Sequence, residues 1–214
     1  MPLFYQHNIN ESTRMGIWRI EETEDFFLKK VPLQATVSHP YKKLQHLAGR
    51  YLLTELFDDF PLDEILIADT RKPFLENEQY HFSISHSGNF AAAIASTAHR
   101  VGVDIELVTS KIMNIAKKFL NDEEKNYIQS LADVPQIQLE LTTVYWSAKE
   151  AVFKWYGAGE VDFRQHIGII SATYSRDKGA LQCIFKKDEE IPLSIQYRLF
   201  PGFVAAWVST LLHF

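Results

Sequence analysis

Val101-Gly102-Val103-Asp104-Ile105-Glu106-Leu107 is the cleanest period-two run in the chain. Val101, Val103, Ile105 and Leu107 point one way; Gly102, Asp104 and Glu106 point the other, as in a β-strand. The apolar face anchors the strand in a core. That fixes two carboxylates on one face, with backbone positions about 6.6 Å apart. Such a pair repels unless water or a cation intervenes. With room left for water and phosphate oxygens, it suits Mg²⁺. The competing reading is a solvated strand face.

The flanking sequence extends this strand into a meander. His81–His86 alternates Phe82, Ile84 and His86 against His81, Ser83 and Ser85, and Ser87-Gly88-Asn89 reads as a turn. Phe90–Ser96 is nearly all apolar, as in a central strand covered on both faces. Before the meander, Tyr41–Phe57 reads as a helix carrying Leu44, Leu47, Ala48, Tyr51, Leu52 and Leu56 at helical spacing, bracketed by Pro40 and Pro61. Glu64–Ala68 reads as a short strand, and Pro73 biases Lys72 toward extended geometry.

After the meander, Ile112–Leu131 reads as helical with a break near Leu120-Asn121-Asp122. There Asn121 or Asp122 caps a new helix with Glu123 and Glu124 in its first turn. Leu139–Trp155 is a further helix, ended by Gly157 and Gly159. Strands follow at about Ile167–Tyr174, Leu181–Phe185, Leu193–Phe200 and Phe203–Ser209. Gly88–Ser96 resembles Gly202–Ser209, with Ala92 falling on Ala205 at an offset of 113 residues. Both halves read as helix first and strands after, which raises a two-lobed arrangement.

Composition sets the outer bounds. The chain has 214 residues, 46% of them hydrophobic and 23% charged, so it is globular and large enough to bury a core without a staple. Lys and Arg number 22 against 27 Asp and Glu, a net charge of −5. That argues against a generic nucleic-acid binder. The single cysteine, Cys183, excludes an internal disulfide and a multi-cysteine metal site. Its alternation with Leu181 and Phe185 makes it a core thiol. No run approaches a membrane span and no secretory leader is visible, so a soluble, cytoplasmic protein with no membrane partner is expected.

Three further motifs carry chemistry. In Trp146-Ser147-Ala148-Lys149-Glu150-Ala151-Val152-Phe153-Lys154-Trp155, the side chains Trp146, Glu150 and Phe153 share a helical face with Gly157. Glu150 and Lys154 are either a plain surface pair, four apart, or a third carboxylate beside a phosphate-binding lysine. Ser85 and His86 lie on opposite faces of one strand, so they cannot act as nucleophile and base. They are better suited to donate to a phosphate beside a tight glycine turn. Arg71-Lys72-Pro73 is a small cationic knuckle, read either as solvated charge or as a further anion contact.

Taken in order, RKPF, HFSISHSGNF, VGVDIE and WSAKEAVFKWYG resemble the 4′-phosphopantetheinyl transferases, in particular the long monomeric class that activates surfactin-type synthetases. The resemblance spans roughly Leu44 to Gly159. It implies an α+β fold built as a pseudodimer of two similar lobes, residues 1–108 and 109–214, with coenzyme A in the cleft between them. It implies transfer of the 4′-phosphopantetheine arm of coenzyme A to a serine of an apo acyl or peptidyl carrier protein. Adenosine 3′,5′-bisphosphate leaves and Mg²⁺ is required.

By match to the family motifs, Asp104, Glu106 and Glu150 are the metal carboxylates. Lys154 is the favoured pyrophosphate contact and Lys149 a second coenzyme A contact. Ser85 and His86 meet coenzyme A phosphates, and Arg71, Lys72 and Pro73 flank the nucleotide. The carrier serine needs a base, for which Glu150 comes first and Glu124 second.

The motifs depart from the family at two places. A usual Gly-Lys-Pro stands as Arg71-Lys72-Pro73, and an upstream basic position is Gln45. Lys30, Lys42, Lys43 or Arg50 then supplies the adenosine 3′-phosphate contact. Lys111, Lys117, Lys118 and Lys125, beside Ile112, Met113, Ile115 and Phe119, form an amphipathic stretch read either as the carrier dock or as an ordinary surface helix. The alternatives to a transferase are another Mg²⁺-dependent pyrophosphate-cleaving enzyme and a non-catalytic module that binds coenzyme A or a carrier.

Overall fold

The computed structural model describes residues 3–32, 39–130 and 134–212. Its elements in chain order are β1 (Leu3–Asn8), β2 (Thr13–Arg19), α1 (Glu24–Leu28) and α2 (Pro40–Leu56). A 3₁₀ turn follows (Leu62–Glu64), then β3 (Leu66–Ile67), β4 (Pro73–Phe74), β5 (His81–Ser87), β6 (Phe90–Ser96) and β7 (His99–Leu107). The rest are α3 (Lys111–Phe119), α4 (Asp122–Ser130), α5 (Pro135–Tyr156), β8 (Ile167–Thr173), β9 (Lys178–Lys186), β10 (Glu190–Phe200) and β11 (Phe203–Leu211). This is a mixed α+β fold. The chain divides into two compact units, Met1–Val103 with Thr210–Phe214, and Asp104–Ser209.

In the first unit, an antiparallel sheet in the order β1-β2-β6-β5 is covered by α2. The helix starts with Pro40 in its first turn, where a missing N–H costs nothing. Its apolar face (Leu47, Ala48, Leu52, Leu56) packs on the alanine-rich β6. Small residues allow close approach. A Cβ at Gly49 would lie 2.5 Å from Ile84 Cγ2 of β5, so only glycine fits this crossing. Gln45 is buried and its Nε2 donates to Gly88 O (2.8 Å), tying the helix to the β5–β6 turn. The residue at the expected basic position is thus a structural brace.

The second unit holds α3, α4 and α5 and the body of a sheet ordered β7-β11-β10-β9-β8. Helix α5 is buried along Leu141, Val144, Tyr145, Ala148, Ala151, Val152 and Trp155, in one core with Leu181, Cys183, Phe185, Leu193, Ile195 and Tyr197. Gly157 ends the helix at φ 74, and its N–H bonds back to Phe153 O, a left-handed cap that glycine adopts without strain. Cys183 is buried and its thiol is pushed up to about 12 by desolvation, as a core thiol would be.

Most elements lie where the sequence places them, with differences at two points. The hairpin β1–β2 precedes the first helix, so this half does not begin with a helix. The expected strand over Glu64–Ala68 is a 3₁₀ turn followed by two residues of strand. The helical stretch after β7 breaks at Leu120, as expected, while its predicted last residue, Leu131, lies outside the described residues. The repeat Gly88–Ser96 and Gly202–Ser209 corresponds to β6 and β11. Each follows a glycine at positive φ, 52 at Gly88 and 87 at Gly202, and each is a largely buried inner strand of its sheet.

Candidate active site

Strand β7 carries Asp104 into the second unit with 3% exposure, which excludes the reading of a solvated strand face. A carboxylate that buried needs compensation. Lys154 supplies it, its Nζ donating to Asp104 Oδ1 at 2.7 Å. The lysine comes from the last turn of α5, so the ion pair ties that helix to β7. It also removes the alternative of a plain Glu150–Lys154 surface pair. Glu106, two residues on, accepts from Trp146 Nε1 at 3.0 Å.

Glu150 lies on α5 between Trp146 and Lys154, the two residues that hold Glu106 and Asp104. Its carboxyl is pushed up to about 7, first by burial, then by the charge of Asp104, with Lys154 opposing and Glu106 adding. Three acids therefore act on one another in this unit. Fully ionised, three carboxylates against one ammonium leave a net −2. The donors are all oxygen, which suits a hard divalent cation such as Mg²⁺. As they stand, Lys154 and Trp146 hold two of the three. Among the described residues no three acid, histidine or cysteine groups are already gathered as a metal-ready set. Charge and donor type fit the ion, and binding it requires the acids to turn from these partners.

Two of the expected site residues lie in the core of the second unit. Lys149 has no exposure, and its three N–H bonds go to Phe119 O (2.8 Å), Glu124 Oε2 (2.8 Å) and Phe163 O (2.9 Å). An ammonium has three donors, so none is left for coenzyme A. Glu124 is 2% exposed. Its Oε2 also accepts from Asn121 N (2.9 Å) and its Oε1 from Ile169 N (3.0 Å). Asn121 Oδ1 accepts in return from Glu124 N (2.9 Å), a capping box that starts α4. Glu124, the second candidate base, is here a buried joint between α4, α5 and β8.

The remaining expected residues lie in the first unit. Arg71 is exposed at φ 65, so the position where the family has glycine keeps a left-handed backbone despite its side chain. A tight turn holds it there, with Arg71 N bonded to Ala68 O and Ala68 N to Lys72 O. Lys72 is lowered to about 8, mainly by burial and then by the charge of Arg100. Arg100 was not read from the sequence as a neighbour of this loop, because the two are distant along the chain. Pro73 begins β4. Ser85 is buried and His86 exposed on opposite faces of β5. Lys30 donates to Tyr51 Oη (3.1 Å) and lies over the Phe26 and Tyr51 rings. Lys43 pairs with Glu24, and Arg50 is buried.

Helices α3 and α4 present Lys111, Lys117, Lys118 and Lys125 to solvent. Met113 is exposed beside them, while Phe119 belongs to the core against Trp146. Between α3, α4 and α5 lies a cavity of about 320 Å³ lined by Met113, Lys117, Leu120, Lys125, Ile128 and Thr142.

Strand β7 and helix α5 thus bring Asp104, Glu106, Glu150 and Lys154 together within the second unit. Comparison with known proteins places the chain in a family. Residues 100–208 match the model of the 4′-phosphopantetheinyl transferase superfamily. The 4′-phosphopantetheinyl transferase gsp of Aneurinibacillus migulanus is 30% identical over 197 residues, 88% of this chain and 75% of the relative. AcpT of Escherichia coli K12, also a 4′-phosphopantetheinyl transferase, is 32% identical over 117 residues, 52% of this chain and 56% of its own. An L-aminoadipate-semialdehyde dehydrogenase-phosphopantetheinyl transferase of Xenopus laevis is 30% identical over 131 residues, covering 53% and 43%. The chain belongs to the 4′-phosphopantetheinyl transferase superfamily and is a transferase. No helix among the described residues is long and apolar enough to cross a membrane.

Proposed function

We propose that this protein moves the 4′-phosphopantetheine arm of coenzyme A onto a serine of an apo acyl or peptidyl carrier protein. The observation that carries this reading is the pairing of buried Asp104 with Lys154 beside Glu150 and Glu106. In the reaction the serine oxygen bonds to the phosphorus that bears the pantetheine arm. The bridging P–O bond breaks, and the electron pair leaves with adenosine 3′,5′-bisphosphate. Asp104, Glu106 and Glu150 would hold the Mg²⁺. When bound, the ion supplies neutralisation of the charge that grows on the leaving phosphate. Lys154, released from Asp104, turns its ammonium to the pyrophosphate. Glu150 comes first as the base, its carboxylate taking the serine proton directly or through a water.

The attacking hydroxyl belongs to the carrier, which accounts for Ser85 and His86 lying on opposite faces of β5. The cationic groups of the first unit, Arg71, Lys72 and His86 with Lys30 and Arg50, serve the nucleotide. We include in this proposal the pseudodimer arrangement with coenzyme A between the lobes, action as a monomer, and a cytoplasmic location. The carrier docks on α3, where exposed lysines surround Met113 and the apolar cavity behind it. Charge complementarity with an acidic carrier favours that face.

The test incubates the protein with coenzyme A, Mg²⁺ and a panel of apo carriers, then weighs each carrier intact. Gain of one phosphopantetheine, dependent on Mg²⁺, is expected. Unmodified carriers together with cleavage of coenzyme A to free phosphates would assign the site to pyrophosphate hydrolysis instead.

A further inference from the structure

We propose that the cavity between α3, α4 and α5 binds a free medium-chain alkyl carboxylate, with the chain inside and the head at Lys117 and Lys125. Every residue that lines it belongs to the second unit, from Met113 on α3 to Thr142 on α5. Thr142 precedes Glu150 by eight residues, about 12 Å along the helix, so the cavity is set apart from the acids.

The walls are apolar and satisfied. The chain leaves helical geometry at Leu120, where ψ is 131, and the cavity opens at this bend. Leu120 and Ile128 are buried in its wall, with Ala116 half-buried and Met113 exposed at the rim. Thr142 is buried and its hydroxyl is already committed, Oγ1 donating to Gln138 O at 2.7 Å. Among the described residues, none that lines the cavity holds a buried polar atom without a partner. Nothing in these walls calls for water, and a cavity of this kind takes up apolar matter. At about 320 Å³ it offers roughly twice the space, ~150 Å³, that admits a benzene-sized guest. That leaves room for a chain of about eight to twelve carbons.

The mouth selects the head. Lys117 of α3 and Lys125 of α4 are exposed and line it from two helices. Neither enters an ion pair among the described residues. Their stems extend the apolar wall while the ammoniums stay in water. No acid and no arginine is among the lining residues. An ammonium head is therefore repelled, and the planar fork that suits phosphate is missing. A single carboxylate between two ammoniums on an apolar chain fits both parts of the site. Competition between this ligand and a carrier rests on the docking reading above; the ligand site itself rests only on the cavity and its lysines.

The experiment titrates the protein with hexanoate, octanoate, octanol, octylamine and acetate by calorimetry, and follows the Ile128 and Met113 methyl groups by NMR. Octanoate is expected to shift both methyl signals and to bind at least about tenfold more tightly than octylamine. Affinity should rise about fourfold per methylene from hexanoate to octanoate, and acetate should not bind. Lys117→Gln/Lys125→Gln should weaken octanoate about tenfold and leave octanol unchanged. Ala116→Leu, which fills the cavity, should abolish binding of both; Met113→Trp at the exposed rim serves if that variant unfolds. Equal affinity for octylamine and octanoate, or octanoate binding that survives in folded cavity-filled protein, would overturn the inference. So would methyl shifts with an apo carrier and with none of the small ligands, which would give the cavity to a carrier side chain. In the transfer reaction octanoate should raise the KM for the carrier and leave the dissociation constant of coenzyme A unchanged. Octanoate binding in a protein that modifies no carrier would uphold the site while the transferase reading falls.

Discussion

Lys149 and Glu124 form an ion pair at 2.8 Å in which neither side chain has any exposure to solvent. The pair sits where the helix signature of the family meets a capping box. One carboxylate thereby starts α4, holds β8 through Ile169 N and anchors α5. Removing one partner strands the other charge in the core. Lys149→Met is expected to cost about 3–5 kcal/mol of unfolding free energy by denaturant titration. Burial already lowers the Lys149 pKa, so the neutral double variant Lys149→Met/Glu124→Gln should recover part of the loss. A single variant as stable as the wild type would show that the pair is not structural.

Glu150 gives the protein a pH signature. Its folded pKa, about 7, lies above the unfolded value of 4.5, so between those values the folded state binds more protons. Stability attributable to this group is present below about pH 4.5 and is lost as pH rises through 7. Glu150→Gln should therefore stabilise the protein at pH 8, by about 3 kcal/mol at most, and much less at pH 5, read as a thermal midpoint that rises more at pH 8. Mg²⁺ should stabilise the wild type more at pH 8 than at pH 6. A midpoint difference that does not vary with pH would show that Glu150 is not crowded by its neighbours.

Arg71 holds a left-handed backbone at φ 65, a conformation that costs a side-chain-bearing residue about 1–2 kcal/mol. Arg71→Gly should relieve this strain. After the entropy that glycine adds to the unfolded chain, the net gain should be about 0.5–1 kcal/mol in chemical denaturation. If the guanidinium serves the nucleotide, coenzyme A affinity should fall severalfold in the same variant. Greater stability with unchanged affinity would confine Arg71 to the turn.

Much of this architecture was legible in the sequence, and the limits have physical causes. Period two marked β7, and the polar interruption at Asn121-Asp122 marked the break between α3 and α4, because these are local signals. The first hairpin was missed because β1 (Leu-Phe-Tyr-Gln-His-Asn) is largely exposed, and its pairing with β2 is not written in its own composition. Motif order singled out Asp104, Glu106, Glu150 and Lys154, and the fold brings these four together. The burial of Lys149 and Glu124 was not legible, since a charged helix looks exposed until its long-range partners are known. Gln45, read as a lost basic position, is a brace for the same reason.

The carrier dock makes a separable prediction. Lys117→Glu/Lys118→Glu reverses two exposed charges on α3, neither of them among the expected metal carboxylates or coenzyme A contacts. The KM for an acidic carrier should rise at least about tenfold, while the dissociation constant of coenzyme A stays unchanged. An unaltered carrier KM would move the dock elsewhere.

The central claim, that the acids beside Lys154 perform phosphopantetheine transfer, is tested most directly by intact-mass measurement of an apo carrier after incubation with coenzyme A and Mg²⁺. Wild type is compared with Asp104→Asn. The wild type is expected to add one phosphopantetheine per carrier. The variant, once shown to be folded, should be slower by about a hundredfold or more. Transfer by folded Asp104→Asn at the wild-type rate would contradict the account.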